Sequence, residues 1–307
     1  MNILVLGGTG FIGSHLVDGL LADGQQVRVL SRNAEPYRSP LPGVDYQFGD
    51  FSDVSKLAKS LEGVDIVMHA LSTTVPSTSN KNPKEDVHSN LEGTVGLLDA
   101  MVQQGIHRVI FLSSGGTVYG NTTANPIPED ASLHPLSSYG IVKTAIEQYL
   151  FLYEHQSGLR PLILRPSNIY GPRHGHIGVQ GIISTFLAAI KKGDPLKVWG
   201  DGSIVRDYLY IDDFVSLCIK ALRTQETGIF NVGAGVGFSI REIIECVSKV
   251  TGKIPQVEFN PGRAFDIAKV ILDISKAKKV FNWSPAVTLE EGIQRTWDWM
   301  KNCDSIP

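Results

Sequence analysis

The chain has 307 residues, 42% of them hydrophobic and 19% charged, with 28 Lys and Arg against 31 Asp and Glu. A formal net charge of -3 without any basic run excludes a general attraction to nucleic-acid phosphates or to an anionic membrane. Three cysteines, far apart at 218, 246 and 303, exclude a disulfide framework, and no apolar stretch approaches the roughly 20 residues that span a bilayer.

The first apolar run, residues 3–6, follows Met1-Asn2 with no basic n-region or cleavage site, so a protein of the reducing cytoplasm is expected. It leads into Gly7-Gly8-Thr9-Gly10-Phe11-Ile12-Gly13 and a helix predicted over 13–23. Gly7, Gly10 and Gly13 allow a tight turn, close approach of backbone to a pyrophosphate, and close helix–strand packing. The free N–H groups of the helix N-terminus suit an anion. Alone, three glycines could be a ligand-free turn; directly after the first strand of a parallel pattern they read as a dinucleotide fingerprint. No Gly-Lys-Ser/Thr follows, so a P-loop is excluded.

The second run, 27–30, ends in Ser31-Arg32 instead of the carboxylate that bonds a ribose 2′-hydroxyl. Arg32 suits a 2′-phosphate or a stack on adenine, and the position leaves NAD and NADP both open. Asp50-Phe51 closes the third strand pattern, where it suits an adenine; Asp50 serves equally as a cap for a helix over 54–62. Runs at 66–69, 109–112 and 162–165 alternate with helices over 90–104 and 139–155. Short Val-, Ile- and Leu-rich runs are how strands buried on both faces read, and the alternation predicts an α/β, Rossmann-type doubly wound parallel sheet.

Beyond about residue 170 the pattern changes to a loop at 171–175, a helix over 182–192 and a turn at 199–203. The expected division is a dinucleotide-binding domain of residues 1–170 plus about 206–250, and a smaller substrate-binding lobe of about 171–205 and 251–307.

Tyr139 and Lys143 stand at i and i+4, on one face of the predicted helix. A neighbouring cation favours the phenolate, which would make Tyr139 a base at neutral pH. The pair on its own could be an exposed helix contact. Upstream, however, a buried strand ends in Ser113-Ser114-Gly115-Gly116-Thr117-Val118-Tyr119-Gly120, and hydroxyls at that end of a strand face the ligand crevice of open α/β sheets.

Together these features resemble the extended short-chain dehydrogenase/reductase family, in its nucleotide-sugar epimerase/dehydratase branch. The resemblance includes the glycine loop, Asn90-Leu91-Glu92-Gly93-Thr94, the segment ending at Gly120, Tyr139/Lys143 and residues 165–172 from Arg165 to Pro172. It continues through Gly200-Asp201-Gly202, residues 206–213, Asn231-Val232-Gly233 and Arg263…Asp266, covering roughly residues 3–285. The resemblance implies that Tyr139 is the acid/base at a sugar hydroxyl and that Lys143 also holds the nicotinamide ribose. It further implies cofactor contacts from Phe11, Ile12, Ala70, Leu71, Ser72, Asn90 and Ser113. Gly115 stands where the family carries the hydroxyl that polarises the sugar oxygen, so Thr117 is expected in that role, with Ser114 next. Dehydratases and decarboxylases of the branch carry a carboxylate just after that hydroxyl, and 3,5-epimerase/reductases a Cys or His nearby; here Gly116 and Thr117 follow.

What the resemblance leaves is 4-epimerisation with NAD: oxidation at C4, turnover of the 4-keto sugar, and reduction from the other face. Arg206, Arg263 and Asn168 match residues that grip the diphosphate of a UDP-sugar, and Asp266 one that holds the nucleotide ribose. Val270 stands where glucose-specific relatives carry a Tyr, which suggests room for an N-acetyl group. Relatives pair the helices over 90–104 and 139–155 across a two-fold axis, so a homodimer is expected. Two other classes are an NADP-dependent reductase of a keto-sugar, which Arg32 would suit, and a non-catalytic dinucleotide sensor, which would have no use for Tyr139, Lys143 or the arginines. His174-Gly175-His176 resembles half a metal site but reads better as a loop, and no metal is expected.

Overall fold

The computed structural model describes residues 1–175, 181–262 and 267–303. The chain divides into two compact units: Met1–Val118 with Pro135–Arg165 and Val215–Phe230, and Tyr119–His134 with Pro166–Phe214 and Asn231–Pro307.

The first unit is built on strands β1 (Asn2–Leu6), β2 (Gln26–Ser31), β3 (Val44–Phe48), β4 (Ile66–His69), β5 (Arg108–Leu112) and β6 (Arg160–Pro166). Their order is β3-β2-β1-β4-β5-β6, with Gly228–Val232 beyond β6, and each pair from β3 through β6 is parallel. This is the α/β doubly wound arrangement expected from the sequence. The order reverses between β1 and β4, which opens the crevice where such sheets take ligands. β4 and β5 are buried at every position and β1 at all but its first residue, as both-face burial requires. Leu97, Leu98 and Met101 of the helix Gly93–Gln103 join Val142, Ile146 and Leu150 of the helix Ser138–Ser157 in one core cluster with Leu4, Leu6 and Phe111.

All five strands expected from apolar runs are present. The two outer strands lack such a run: β3 is the third strand pattern that ends at Asp50-Phe51, and Gly228–Val232 was not expected. β3 reads Val-Asp-Tyr-Gln-Phe and is only partly buried, so its composition carries little of the apolar signal. Gly228–Val232 opens with a glycine and carries Asn231 at a buried position.

In the second unit, Val205–Tyr210 is the middle strand, antiparallel to Gly237–Ser239 and parallel to Asn168–Tyr170 and Lys269–Val270. A separate parallel pair joins Leu196–Trp199 to Val257–Asn260. The helices Ile182–Lys192, Ile240–Thr251 and Leu289–Asn302 pack on one another. They do so through Phe186 and Ile190, Ile243 and Val247, and Ile293, Trp297 and Met300, all at helical spacing. Asp207 ties the loops together: its buried carboxylate accepts from the N–H groups of Ala234 at 2.8 Å, Gly235 at 3.1 Å and Leu272 at 3.4 Å. Among the described residues, no helix is long and apolar enough to cross a membrane.

Candidate active site

The glycine loop follows β1 and enters the helix Phe11–Ala22. Gly7 adopts φ 77°, a left-handed conformation that glycine accepts without strain, and its carbonyl accepts from the N–H of Gly10 at 3.0 Å. A Cβ on Gly13 would lie 2.0 Å from that carbonyl oxygen, so the helix can approach the loop only because residue 13 is glycine. The helix N-cap, Gly10, has no side chain to accept from the first N–H groups. Backbone donors at a positive dipole end, reached over bare glycine, make a cradle that fits a dinucleotide pyrophosphate. Gly13→Ala is expected to cost about 1–3 kcal/mol through forced displacement of the loop, read as a lowered Tm in thermal unfolding.

The other proposed cofactor positions lie at the carboxyl ends of β2, β3 and β4. The Ser31 hydroxyl accepts from the N–H of Thr9 at 3.3 Å, joining β2 to the glycine loop. Arg32 is exposed, and its charge helps hold the exposed Asp50 carboxyl below its ordinary pKa, after the two hydrogen bonds that Ser52 donates to it. Asp50 thus closes a turn on Ser52; the cap of the helix Val54–Leu61 is Asp53, which accepts from the N–H groups of Ser55 and Lys56. The Phe51 ring is buried edge-on to His69, 5.6 Å between centroids. Ala70 continues the sheet with an N–H to the Leu6 carbonyl at 3.1 Å, Leu71 lies against Gly7, and the Ser72 hydroxyl donates to Thr74 O. Asn90 is buried in a turn of π-helix, Val87–Glu92, where its Oδ1 accepts from the N–H of Thr73 at 2.9 Å.

Tyr139 and Lys143 share the helix Ser138–Ser157, whose first turn is fixed by three side chains. The N–H of Ser138 donates to Asn80 Oδ1 (2.8 Å), that of Tyr139 to Ser79 Oγ (3.1 Å) and that of Gly140 to Ser137 Oγ (3.2 Å). Orphan donors of a helix start are here satisfied in series, so Tyr139 stands on an anchored backbone. The Lys143 ammonium is buried, donates to the Leu112 carbonyl at 2.8 Å, and sits 4.6 Å from the Phe111 ring centroid and 5.6 Å from that of Tyr139. Burial pushes Lys143 down from 10.5 to about 8.

The phenol departs from the sequence expectation. Its pKa is raised, not lowered: burial and then the negative charge of Asp86 push Tyr139 to about 12. Withdrawal from water outweighs the cation at i+4. The Lys143 shift has a consequence for stability. A lysine whose folded pKa lies below its unfolded value opposes folding fully below pH 8 and ceases to do so as pH rises past about 10.5. Lys143→Met is therefore expected to stabilise the fold at pH 7 by about 1–2 kcal/mol, the gain fading between pH 8 and 10.5 in denaturant titrations.

At the end of β5, Ser113 is buried; its N–H donates to the Leu164 carbonyl and its hydroxyl to Glu147 Oε1 at 2.5 Å. Glu147 also receives Arg165, Nε at 3.0 Å and Nη2 at 2.5 Å, and both side chains are withdrawn from solvent. The Ser114 carbonyl accepts from the N–H groups of Thr117 and Val118, closing a turn. Thr117 Oγ1 is buried and has no hydrogen-bond partner among the described residues. A Cβ on Gly140 would meet the Thr117 carbonyl at 2.9 Å, so this turn lies against the helix immediately after Tyr139.

Of the proposed substrate residues, Asn168, Arg206 and Val270 belong to the second unit. Arg206 and Val270 are register partners on neighbouring strands, and Val270 is buried. Asn168 donates to the Asp207 carbonyl at 3.0 Å, which leaves its second amide N–H for another acceptor. Arg263, Asp266 and His176 lie outside the described residues. Burial pushes His174 down to about 4, and among the described residues no group of three or more His, Cys, Asp or Glu could hold a metal. What the sequence reading did not single out is the segment from Ser79 to Asp86, which anchors the Tyr139 helix. Its one local signal is Asn82-Pro83, a helix cap with proline at the first position.

A Rossmann-type sheet with a glycine loop at β1 and a Tyr/Lys pair beside β5 defines an extended short-chain dehydrogenase/reductase. The NAD dependent epimerase/dehydratase family matches residues 3–233, and the chain belongs to that family. A UDP-glucose 4-epimerase of Mycolicibacterium smegmatis is 36% identical over 310 residues, 98% of this chain and 99% of that one. The crystal structure of a UDP-glucose 4-epimerase from Thermotoga maritima with UDP-glucose superposes with a TM-score of 0.95 at 33% identity, covering 98% and 99% of the two chains. That of a Thermus thermophilus UDP-glucose 4-epimerase in complex with NAD gives a TM-score of 0.92 at 34% identity, with 98% and 99% covered.

Proposed function

We propose that this chain is a UDP-sugar 4-epimerase acting through transient oxidation at C4 with a retained NAD. The observation that carries this reading is the Thr117 hydroxyl, buried without a partner among the described residues in the turn that lies against the start of the Tyr139 helix. A sugar hydroxyl placed between the two would give both the Thr117 oxygen and the Tyr139 phenol a hydrogen-bond partner. Oxidised nicotinamide, when bound, supplies a hydride acceptor and a positive charge. Gly7, Gly10 and Gly13 would hold the pyrophosphate, and Lys143, already within the buried layer, would meet the ribose beside it. At neutral pH the phenol rests protonated, since its pKa lies near 12. Tyr139 therefore takes the proton of the C4 hydroxyl only when cationic surroundings lower that value, and it gives the proton back to that oxygen on reduction.

The carboxylate nearest in effect, Asp86, is fully buried and hydrogen-bonded on both oxygens. It cannot serve as the second acid/base that a dehydration requires, which favours an epimerase over a dehydratase. The second unit is proposed to take the UDP-sugar, with Arg206 and Asn168 on the diphosphate and Val270 in the sugar pocket; Arg263 and Asp266, outside the described residues, complete that scheme by sequence. Valine at 270 supports UDP-N-acetylhexosamines as substrates beside UDP-glucose and UDP-galactose. The exposed apolar side chains Ile141, Tyr149 and Leu152 on the Tyr139 helix and Val102 on Gly93–Gln103 support a homodimer through these helices.

Denaturing the purified protein should release NAD, and incubation with UDP-glucose or UDP-N-acetylglucosamine without added cofactor should yield the C4 epimer. Strict NADPH consumption with net reduction would overturn the proposal.

A further inference from the structure

We propose that Asp86 is the positioning residue of the Tyr139/Lys143 pair, a buried carboxylate that holds the first turn of the Tyr139 helix and sets how readily the phenol gives up its proton. The inference deepens the proposed function and rests on its reading of Tyr139 as the proton carrier. Asp86 has no exposed surface and makes no ion pair among the described residues; its bonds come from neutral groups alone. Oδ1 accepts from Thr74 Oγ1 at 2.6 Å and Asn90 Nδ2 at 2.9 Å, and Oδ2 from Ser138 Oγ at 2.7 Å. A carboxylate so far from water and without a cation is costly to a fold, and a neutral side chain could satisfy the same three donors.

Its placement suits a role in charge. Through Ser138 it grips the residue next to Tyr139, and its field raises the pKa of both Tyr139 and Lys143. The groups on every element packed against the start of this helix leave Asp86 and Lys143 as the charges that face the phenol. Lys84 and Glu85 beside Asp86, His88 and Glu92 on the π-turn, and Asp99 on Gly93–Gln103 are all exposed; Pro76–Ser79 carries none; and Glu147, further along the helix, is bound to Arg165. Asp86 also belongs to the segment that supplies Ser79 and Asn80 to the same helix start, so one stretch of chain both anchors Tyr139 and sets its charge environment.

Protein labelled with 3-fluorotyrosine tests this without turnover, since fluorination lowers the pKa of a phenol and its 19F resonance reports the titration. The 19F resonance of residue 139 is assigned by its loss in Tyr139→Phe, and its midpoint is compared in the parent, Asp86→Asn and Ser138→Ala. Asn keeps the shape and loses the charge, so the midpoint should fall by about one unit, a tenfold change in ionisation constant. Ser138→Ala keeps the charge and should titrate as the parent does. If epimerisation occurs, the acid limb of kcat/KM should move in the same direction in Asp86→Asn alone. An unchanged 19F midpoint in folded Asp86→Asn, or an equal shift in Ser138→Ala, would overturn the inference; failure of the proposed function would show instead as absent epimerisation in the parent.

Discussion

Tyr139→Phe is expected to lower kcat by about 10²–10⁴-fold, the range general acid–base groups contribute, with little change in KM. No group among the described residues hydrogen-bonds the Tyr139 hydroxyl, so removing it leaves no buried donor or acceptor of the protein unsatisfied. The backbone anchors of the helix start, Asn80, Ser79 and Ser137, do not touch the phenol oxygen and remain in place. The variant should therefore unfold at the Tm of the parent and retain dinucleotide. Thr117→Val provides the milder companion, since it removes a polarising contact and leaves the proton carrier. Parent-like turnover in Tyr139→Phe, measured by formation of the C4 epimer, would contradict the assignment.

The largest stability effect is expected at Glu147 and Arg165. Both are fully withdrawn from solvent and joined by two hydrogen bonds, with Ser113 as a third member. Arg165→Met leaves the Glu147 charge buried without its partner and should cost about 3–5 kcal/mol. Replacing both residues, Glu147→Met with Arg165→Met, removes the two charges together and should recover most of that loss, because a buried pair roughly cancels its own desolvation. Thermal or urea unfolding of the two single variants and the double variant measures the coupling directly. Additive single-variant losses would show that the pair does not act as a unit.

The sheet was legible because parallel strands buried on both faces are largely apolar, and β1, β2, β4, β5 and β6 each carry a run of Val, Ile, Leu or Met. The outer strand β3 keeps Asp45 and Gln47 in a five-residue run, so it is marked by alternation and not by a continuous apolar run. The glycine loop was legible for a local reason too: the constraint on Gly13 comes from Gly7, six residues away. The pairing of Tyr139 with Lys143 is equally local. What sets the phenol's chemistry is not. Asp86 meets Ser138 across 52 residues of chain, and Asn80 meets it across 58. Those contacts exist only once the segment after β4 folds back on the helix, so the spacing pointed to a lowered pKa where burial gives a raised one. Asp207 was visible only as part of a motif, while its work is to gather the N–H groups of Ala234, Gly235 and Leu272.

In the proposed reaction C4 is oxidised and reduced again on one retained cofactor. UDP-glucose carrying deuterium at C4, given to the purified protein without added dinucleotide, tests it most directly. The expected product is UDP-galactose that still carries the deuterium at C4, formed more slowly than from unlabelled substrate. Epimer that has lost its deuterium to water would contradict it.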